Sequence, residues 1–364
     1  MLAVDRHQVL AYRVQAHGLH RSARDVTSLG VLDLGVQYVS VPATQQVLAA
    51  RVDGDLSQDG CVTVWSFRGA PHLVRRADVP TLAAELWPRT DADALARLGG
   101  EGTVLRKADE SGLTAFEKTA AALRDIVTED LPKGEVSAAI TEALPAAYSY
   151  ECRGCKATHV YNTLFQSAGL AAGVELRPGT RPTILAPLAD RPPHPTPAPS
   201  TRVLRAYLRL HGPATLAEAA GYLGTTQKEA KPVWPDGLTE VRVDGRTAYL
   251  PEEDVAALES APAPDVVRLL PAFDPLLQLR DRELLVPGAA ERKAVWRILG
   301  NPGAVLAGGE VVGIWRTAKA AKTRLALTVT PFGTLPARTR KAVAAEAERL
   351  ADLRGATTAV VEYE

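Results

Sequence analysis

A chain of 364 residues, 46% hydrophobic and 23% charged, has an ordinary globular composition and exceeds one ordinary domain, so two to four modules are expected. No apolar run approaches the ~20 residues of a membrane-spanning helix, the N-terminus lacks the basic, apolar, small-residue order of a signal peptide, and three cysteines, Cys61, Cys152 and Cys155, exclude a disulfide scaffold and suggest a reducing, cytoplasmic location. The formal net charge of zero excludes a uniformly basic nucleic-acid binder, though not one whose charges are segregated.

Along the chain, apolar residues at helical spacing predict a helix over Asp5–Ala16 and a second over Ala23–Leu34, ended by Gly35. A turn over Val36–Val41 leads to Pro42, which suits the first position of a third helix, Ala43–Val52. The runs CVTVWSF and PHLVRR, joined by Arg68, Gly69 and Ala70, read as a hairpin. Three helices and a hairpin spell a winged helix-turn-helix, which with a helical extension fills residues 1–110. The order repeats over 111–190, with TAFEKTAAALRDIV, KGEVSAAITEAL and THVYNTLFQSAGL as helices and GVELRPGTRPTILA as wing, turning at Pro178-Gly179. Five prolines in Asp190–Ser200 predict an extended linker. RVLRAYLRLHG, TLAEAAGYLG and TTQKEAKPVW then precede LTEVRVDGRTAYLP, whose Asp244-Gly245 pair is a strong hairpin turn, giving a third module over 200–260. The modules share no fixed period, so the architecture repeats without forming a solenoid. After SAPAPDVV, β-like runs (LLPAFDPLLQL, GAVLAGGEVVGIWR, TRLALTVTPFG), a helix over Leu335–Leu353 and a last strand, ATTAVVEYE, make a mixed domain over 261–364. The expected fold class is α+β: three tandem winged helix-turn-helix modules with a C-terminal β-rich α/β domain.

Charge is segregated near the C-terminus. From Val311 to Ala345 there is no Asp or Glu, while Arg316, Lys319, Lys322, Arg324, Arg338, Arg340 and Lys341 fall there; this reads as a local basic face, the alternative being a solvated surface. Cys152, Cys155 and His159 form C-x2-C-x3-H, half of a zinc site with no second pair nearby; a structural zinc takes four ligands, so no metal is expected, and a tight turn entering a helix near Thr158 is the preferred reading. No phosphate-cradling Gly-rich loop and no Ser-His-Asp arrangement occurs, and the sequence asks for no organic cofactor.

LGVQYVSVPATQQVLAARV, WSFRGAPHLVRRAD, LLPAFDPLL and GGEVVGIWR, taken together and in this order, resemble the AlkZ/YcaQ-like winged-helix DNA glycosylases over nearly the whole chain. The resemblance implies a concave, DNA-embracing scaffold of three winged helices closed by a β-rich domain. The implied reaction is excision of alkylated or bulky-adduct purines from double-stranded DNA, in repair or in antibiotic self-resistance, by a nucleoid-associated monomer. In the family, two polar residues separated by one other follow a Gly-apolar pair. Here Gln37, after Gly35 and Val36, fits the first and is the implied catalytic residue, while Val39 departs from the second. Tyr38 is placed to stack on an unstacked base or to pack, and Ser40 and Thr44, at the start of the third helix, join the implied DNA-contacting set. Arg68 and His72 flank the first wing turn and are candidate DNA contacts, His72 having a core-facing position as its alternative. Arg316, Lys319, Lys322 and Arg324 resemble a second DNA-contacting hairpin. Two other functions stay open: a non-catalytic DNA-binding protein or regulator, and a small-molecule-binding scaffold.

Overall fold

In the computed structural model the described residues are 2–154, 156–318 and 323–364. The first helix, Arg6–Ala16, is capped by Asp5, whose carboxylate accepts from the Gln8 N–H at 2.8 Å. It is buried on more than one side. Val9, Ala11 and Tyr12 pack with Val241, Leu250 and Leu258, while Leu10 and Val14 pack against apolar residues between Val266 and Val311. Ahead of this helix, Leu2–Val4 is a strand, parallel to Leu238–Val243 in a sheet completed by Arg246–Pro251.

The predicted second helix over Ala23–Leu34 is replaced by bends and a single 3-10 turn, Gly30–Asp33. Asp25 explains the break: its carboxylate accepts from Ser28 N–H at 2.9 Å and Thr27 hydroxyl at 2.7 Å, a local closure that competes with helix propagation. The apolar residues Val26, Leu29, Leu32 and Leu34 are buried nonetheless. The next helix starts earlier than expected, Val41–Ala49, because Ser40 caps it by accepting from Ala43 N–H at 3.3 Å. Cys61–Trp65 and Pro71–Arg75 form the expected hairpin, and Val36–Gln37 adds to its free edge against Leu73 and His72.

Helices Gly112–Ile126, Lys133–Ala143 and Asn162–Gly169 share a core with Trp65, Trp87 and a small sheet of Leu131–Pro132, Ile184–Pro187 and Val174–Arg177. Thr158 does not open a helix: Ser149–Cys152 and Ala157–Val160 pair as a hairpin, and the helix begins at Asn162. Residues 191–199 have no regular structure, yet the segment is tied down, since Ala198 N–H donates to the Ala84 carbonyl at 2.9 Å and Arg124 to the Pro192 carbonyl at 2.8 Å.

Thr201–His211 and Leu216–Leu223 follow, the latter opened by a reciprocal Thr215–Glu218 capping box. The expected third helix here shrinks to Gln227–Ala230, ended by Pro232 in the following 3-10 turn. These helices share one core with residues 26–83, Leu204, Tyr207 and Leu208 lying in the same cluster as Val36, Val64 and Leu73. The C-terminal sheet runs Val267–Leu270, Gly303–Ala307, Glu310–Thr317, Arg324–Pro331, Thr358–Tyr363, antiparallel except for its last pair, and Ala337–Leu353 packs on it through Val343, Ala347 and Leu350. No helix among the described residues is long and apolar enough to cross a membrane.

Candidate active site and nucleic-acid interface

Gln37 is brought to its place by Gly35. The backbone at Gly35 has φ +75°, and a Cβ there would lie 2.9 Å from Val74 Cγ1 and 3.0 Å from His72 Cβ, so only glycine lets the chain turn this tightly against the hairpin. Val36 then points into the core, 0% exposed, and alternation along the two-residue strand presents Gln37 to the opposite face, half-buried.

There the Gln37 side chain meets Gln278, whose Nε2 donates to Gln37 Oε1 at 3.1 Å. Arg68 reaches the same amide from the other side, Nη2 lying 3.4 Å from Gln278 Oε1. Because a guanidinium only donates, this contact orients the Gln278 amide oxygen toward Arg68 and its nitrogen toward Gln37. Gln37 therefore offers one remaining Oε1 lone pair and both of its Nε2 hydrogens.

The Gln278 segment is pinned at both ends by buried ion pairs. Asp274, fully buried, accepts from Arg51 at 2.7 and 2.9 Å, and Arg51 also donates to the His17 carbonyl at 2.9 Å. Asp281 accepts from Arg13 at 2.6 and 3.2 Å. Between them Asp274 caps the 3-10 turn Pro275–Gln278, accepting from Leu276 N–H at 3.0 Å. Removing one partner of such a pair would strand a buried charge, which is why the arrangement holds the turn firmly. Beyond Gln278 the chain carries Arg280 and Arg282. Burial, and then repulsion from Arg280, holds the Arg282 guanidinium below its ordinary pKa; burial likewise lowers that of Arg68, with Arg280 and Arg282 adding to the effect. The Arg282 guanidinium stacks over Trp296, 5.0 Å from the ring centroid.

The expected interface residues do not share one environment. His72 and Thr44 are buried, each 2% exposed, and so are corrected as surface contacts. His72 Nδ1 donates to the Ala70 carbonyl at 2.9 Å and lies 2.9 Å from Ser66 Oγ, with burial pushing its pKa down to about 3; its side chain is buried on the same face of the sheet as its partner Gln37. Arg68 is half-buried at a positive φ of 55° and its guanidinium is occupied by the Tyr222 carbonyl, the Tyr222 ring at 5.0 Å and Gln278, making it a bracket between segments, not a free phosphate ligand. Tyr38 and Ser40 remain half-buried beside Gln37; the Tyr38 hydroxyl accepts from Gly179 N–H at 2.8 Å, and Val39 between them is 51% exposed. Arg316 and Arg324 are exposed near one end of their hairpin, with Arg316 donating to the Gly300 carbonyl at 2.9 Å. Lys319, Lys322 and Cys155 lie outside the described residues. Among the described residues no group of three or more His, Cys, Asp or Glu side chains is placed to hold a metal. Gln278 is the residue that sequence reasoning missed; its only signal was a lone amide closing the apolar run in PLLQL.

Over 100% of both chains the fold is similar to the solved structure of Streptomyces sahachiroi DNA glycosylase AlkZ, with a TM-score of 0.77 at 22% sequence identity. Residues 34–353 match the family described as DNA glycosylase AlkZ-like, and the chain belongs to that family. A curated relative, the interstrand DNA cross-link repair glycosylase of Streptomyces sahachiroi, is 34% identical over 174 residues, covering 45% of this chain and 44% of the relative; that alignment spans less than half the length of either protein.

Proposed function

We propose that this protein is a DNA glycosylase that hydrolyses the N-glycosidic bond of alkylated or bulky-adduct purines in duplex DNA, with Gln37 as the catalytic amide and Gln278 as the residue that positions it. Family membership carries the reaction class, and the 3.1 Å amide pair supports the assignment of the site. A purine alkylated at N7 is already cationic and departs as a neutral base, taking the C1′–N9 electron pair. The transition state is therefore oxocarbenium-like at the sugar and needs little acid assistance. Gln37 Oε1, with one lone pair engaged by Gln278, accepts a hydrogen bond from the attacking water with the other, and that hydrogen stays on the oxygen as the C1′ hydroxyl. The amide dipole also stabilises the developing positive charge. Water oxygen bonds to C1′ as N9 leaves, and the water's second proton passes to solvent. Val39 supplies no polar group, and Gln278, from a distant part of the chain, takes over support of Gln37.

In this reading 1–110, 111–190 and 200–260 are three winged-helix modules, the first with its second helix reduced to a 3-10 turn and the last with its third helix reduced to Gln227–Ala230, and 261–364 is a β-rich domain. In this reading Tyr38 and Ser40 lie at the DNA beside the site, and Arg316, Lys319, Lys322 and Arg324 form a second, basic contact. The protein acts as a nucleoid-associated monomer. Single-turnover release of 7-methylguanine from a defined duplex tests the reading: Gln37→Ala should slow release by roughly a hundredfold while DNA affinity changes little. Absence of base release by the wild type from alkylated and bulky-adduct duplexes would leave a non-catalytic DNA-binding protein.

A further inference from the structure

The loop between the Ala289–Val295 helix and the Gly303–Ala307 strand ends in the two most exposed large hydrophobic residues of the described chain, Ile298 at 100% and Leu299 at 85%. The turn that presents them is fixed. Arg297 N–H donates to Asn301 Oδ1 at 2.8 Å, Gly300 takes a φ of +67° that favours glycine, and its carbonyl accepts from Arg316 at 2.9 Å. At its base, Trp296, Asn301 and Pro302 line a cavity together with Gln278 and Arg282, and Gln278 is the hydrogen-bond partner of Gln37. The loop thus stands between the candidate active site on one side and the basic hairpin of Arg316 on the other, with Arg282 and Arg297 beside it.

We infer that Ile298 and Leu299 form a wedge that enters a base step of duplex DNA next to the excised nucleotide, holding the stack open while Gln37 reaches the sugar. Two neighbouring aliphatic tips on a prebuilt turn match the apolar wedges that unstack and kink DNA. They cover far less area than the ~1,000 Å² a stable protein interface needs, and the surrounding guanidiniums suit phosphates on either side of a base step. The inference rests on the reading that this face meets DNA; it does not require that a base be released.

The test is 2-aminopurine fluorescence in a duplex carrying the fluorophore beside an N7-methylguanine, recorded with saturating full-length protein. Wild type and Gln37→Ala should both raise the emission several-fold by unstacking the fluorophore. Ile298→Ser combined with Leu299→Ser, at two positions that touch no core, should lose most of that rise while circular dichroism stays that of the wild type. A full rise in the double variant, or none with the saturated wild type, overturns the wedge. So does a sedimentation profile in which the wild type self-associates and the double variant does not, which would make the pair a contact between copies. Unstacking by a wild type that releases no base leaves the wedge standing and removes the glycosylase reading, so the two fail separately.

Discussion

Replacing Gln278 with Leu preserves bulk at the end of its 3-10 turn and deletes the Nε2 donor that lies 3.1 Å from Gln37 Oε1. A hydrogen bond between neutral amides contributes about 0.5–1.5 kcal/mol net, and each ~1.4 kcal/mol of barrier is tenfold in rate. If the bond serves to orient Gln37, Gln278→Leu should slow single-turnover release of 7-methylguanine about 2- to 10-fold at unchanged DNA affinity. Gln278→Glu separates orientation from packing: its carboxylate still accepts from Arg68 but cannot donate to Gln37, so it should be at least as slow as Leu. In a Gln37→Ala background neither change should have a further effect, because the group being oriented is gone. Equal slowing of the wild type and the Gln37→Ala variant would show independent effects and refute the positioning argument.

Asp274→Ala should destabilise the fold by about 3–5 kcal/mol, read as a lower urea midpoint, because it leaves the fully buried Arg51 guanidinium without its counter-charge. Stability should fall as pH drops from 7 toward 5. His17, His72 and His211 are buried and their pKa values are pushed below the ordinary 6.5, chiefly by burial. Below that pH the unfolded chain takes up protons that the folded chain refuses, at a limit of about 1.4 kcal/mol per pH unit for each group. A flat urea-midpoint profile over this range would contradict their burial, and His72→Gln should make the wild-type profile shallower. Val39 is 51% exposed two residues after Gln37, so Val39→Gln or Val39→Asp should fold normally and at least preserve the rate of base release; a large loss would show that the aliphatic side chain itself is needed.

What the sequence by itself determined was local. The Asp244-Gly245 turn, with φ of 46° and 86°, and the helix Ala337–Leu353 follow from residues adjacent in the chain, whose conformational preferences and periodicity act over one turn or one helix. Gln37 was marked by resemblance alone, as the polar residue that follows a Gly-apolar pair in the family, while the tight approach that needs Gly35 appears only in the structure. Burial set by distant partners was not legible. His72 and Arg68 looked alike beside a wing turn, yet one belongs to the core and the other is bound to Tyr222 and Gln278. The strand Leu2–Val4 depends on an edge more than two hundred residues away. Gln278 lies 241 residues from Gln37, and nothing in PLLQL records that distance. Only the tertiary structure, through Arg51 on Asp274 and Arg13 on Asp281, fixes the segment that carries one amide against the other, since a single 3.1 Å hydrogen bond is too weak to draw together two ends of a chain whose entropy opposes their meeting.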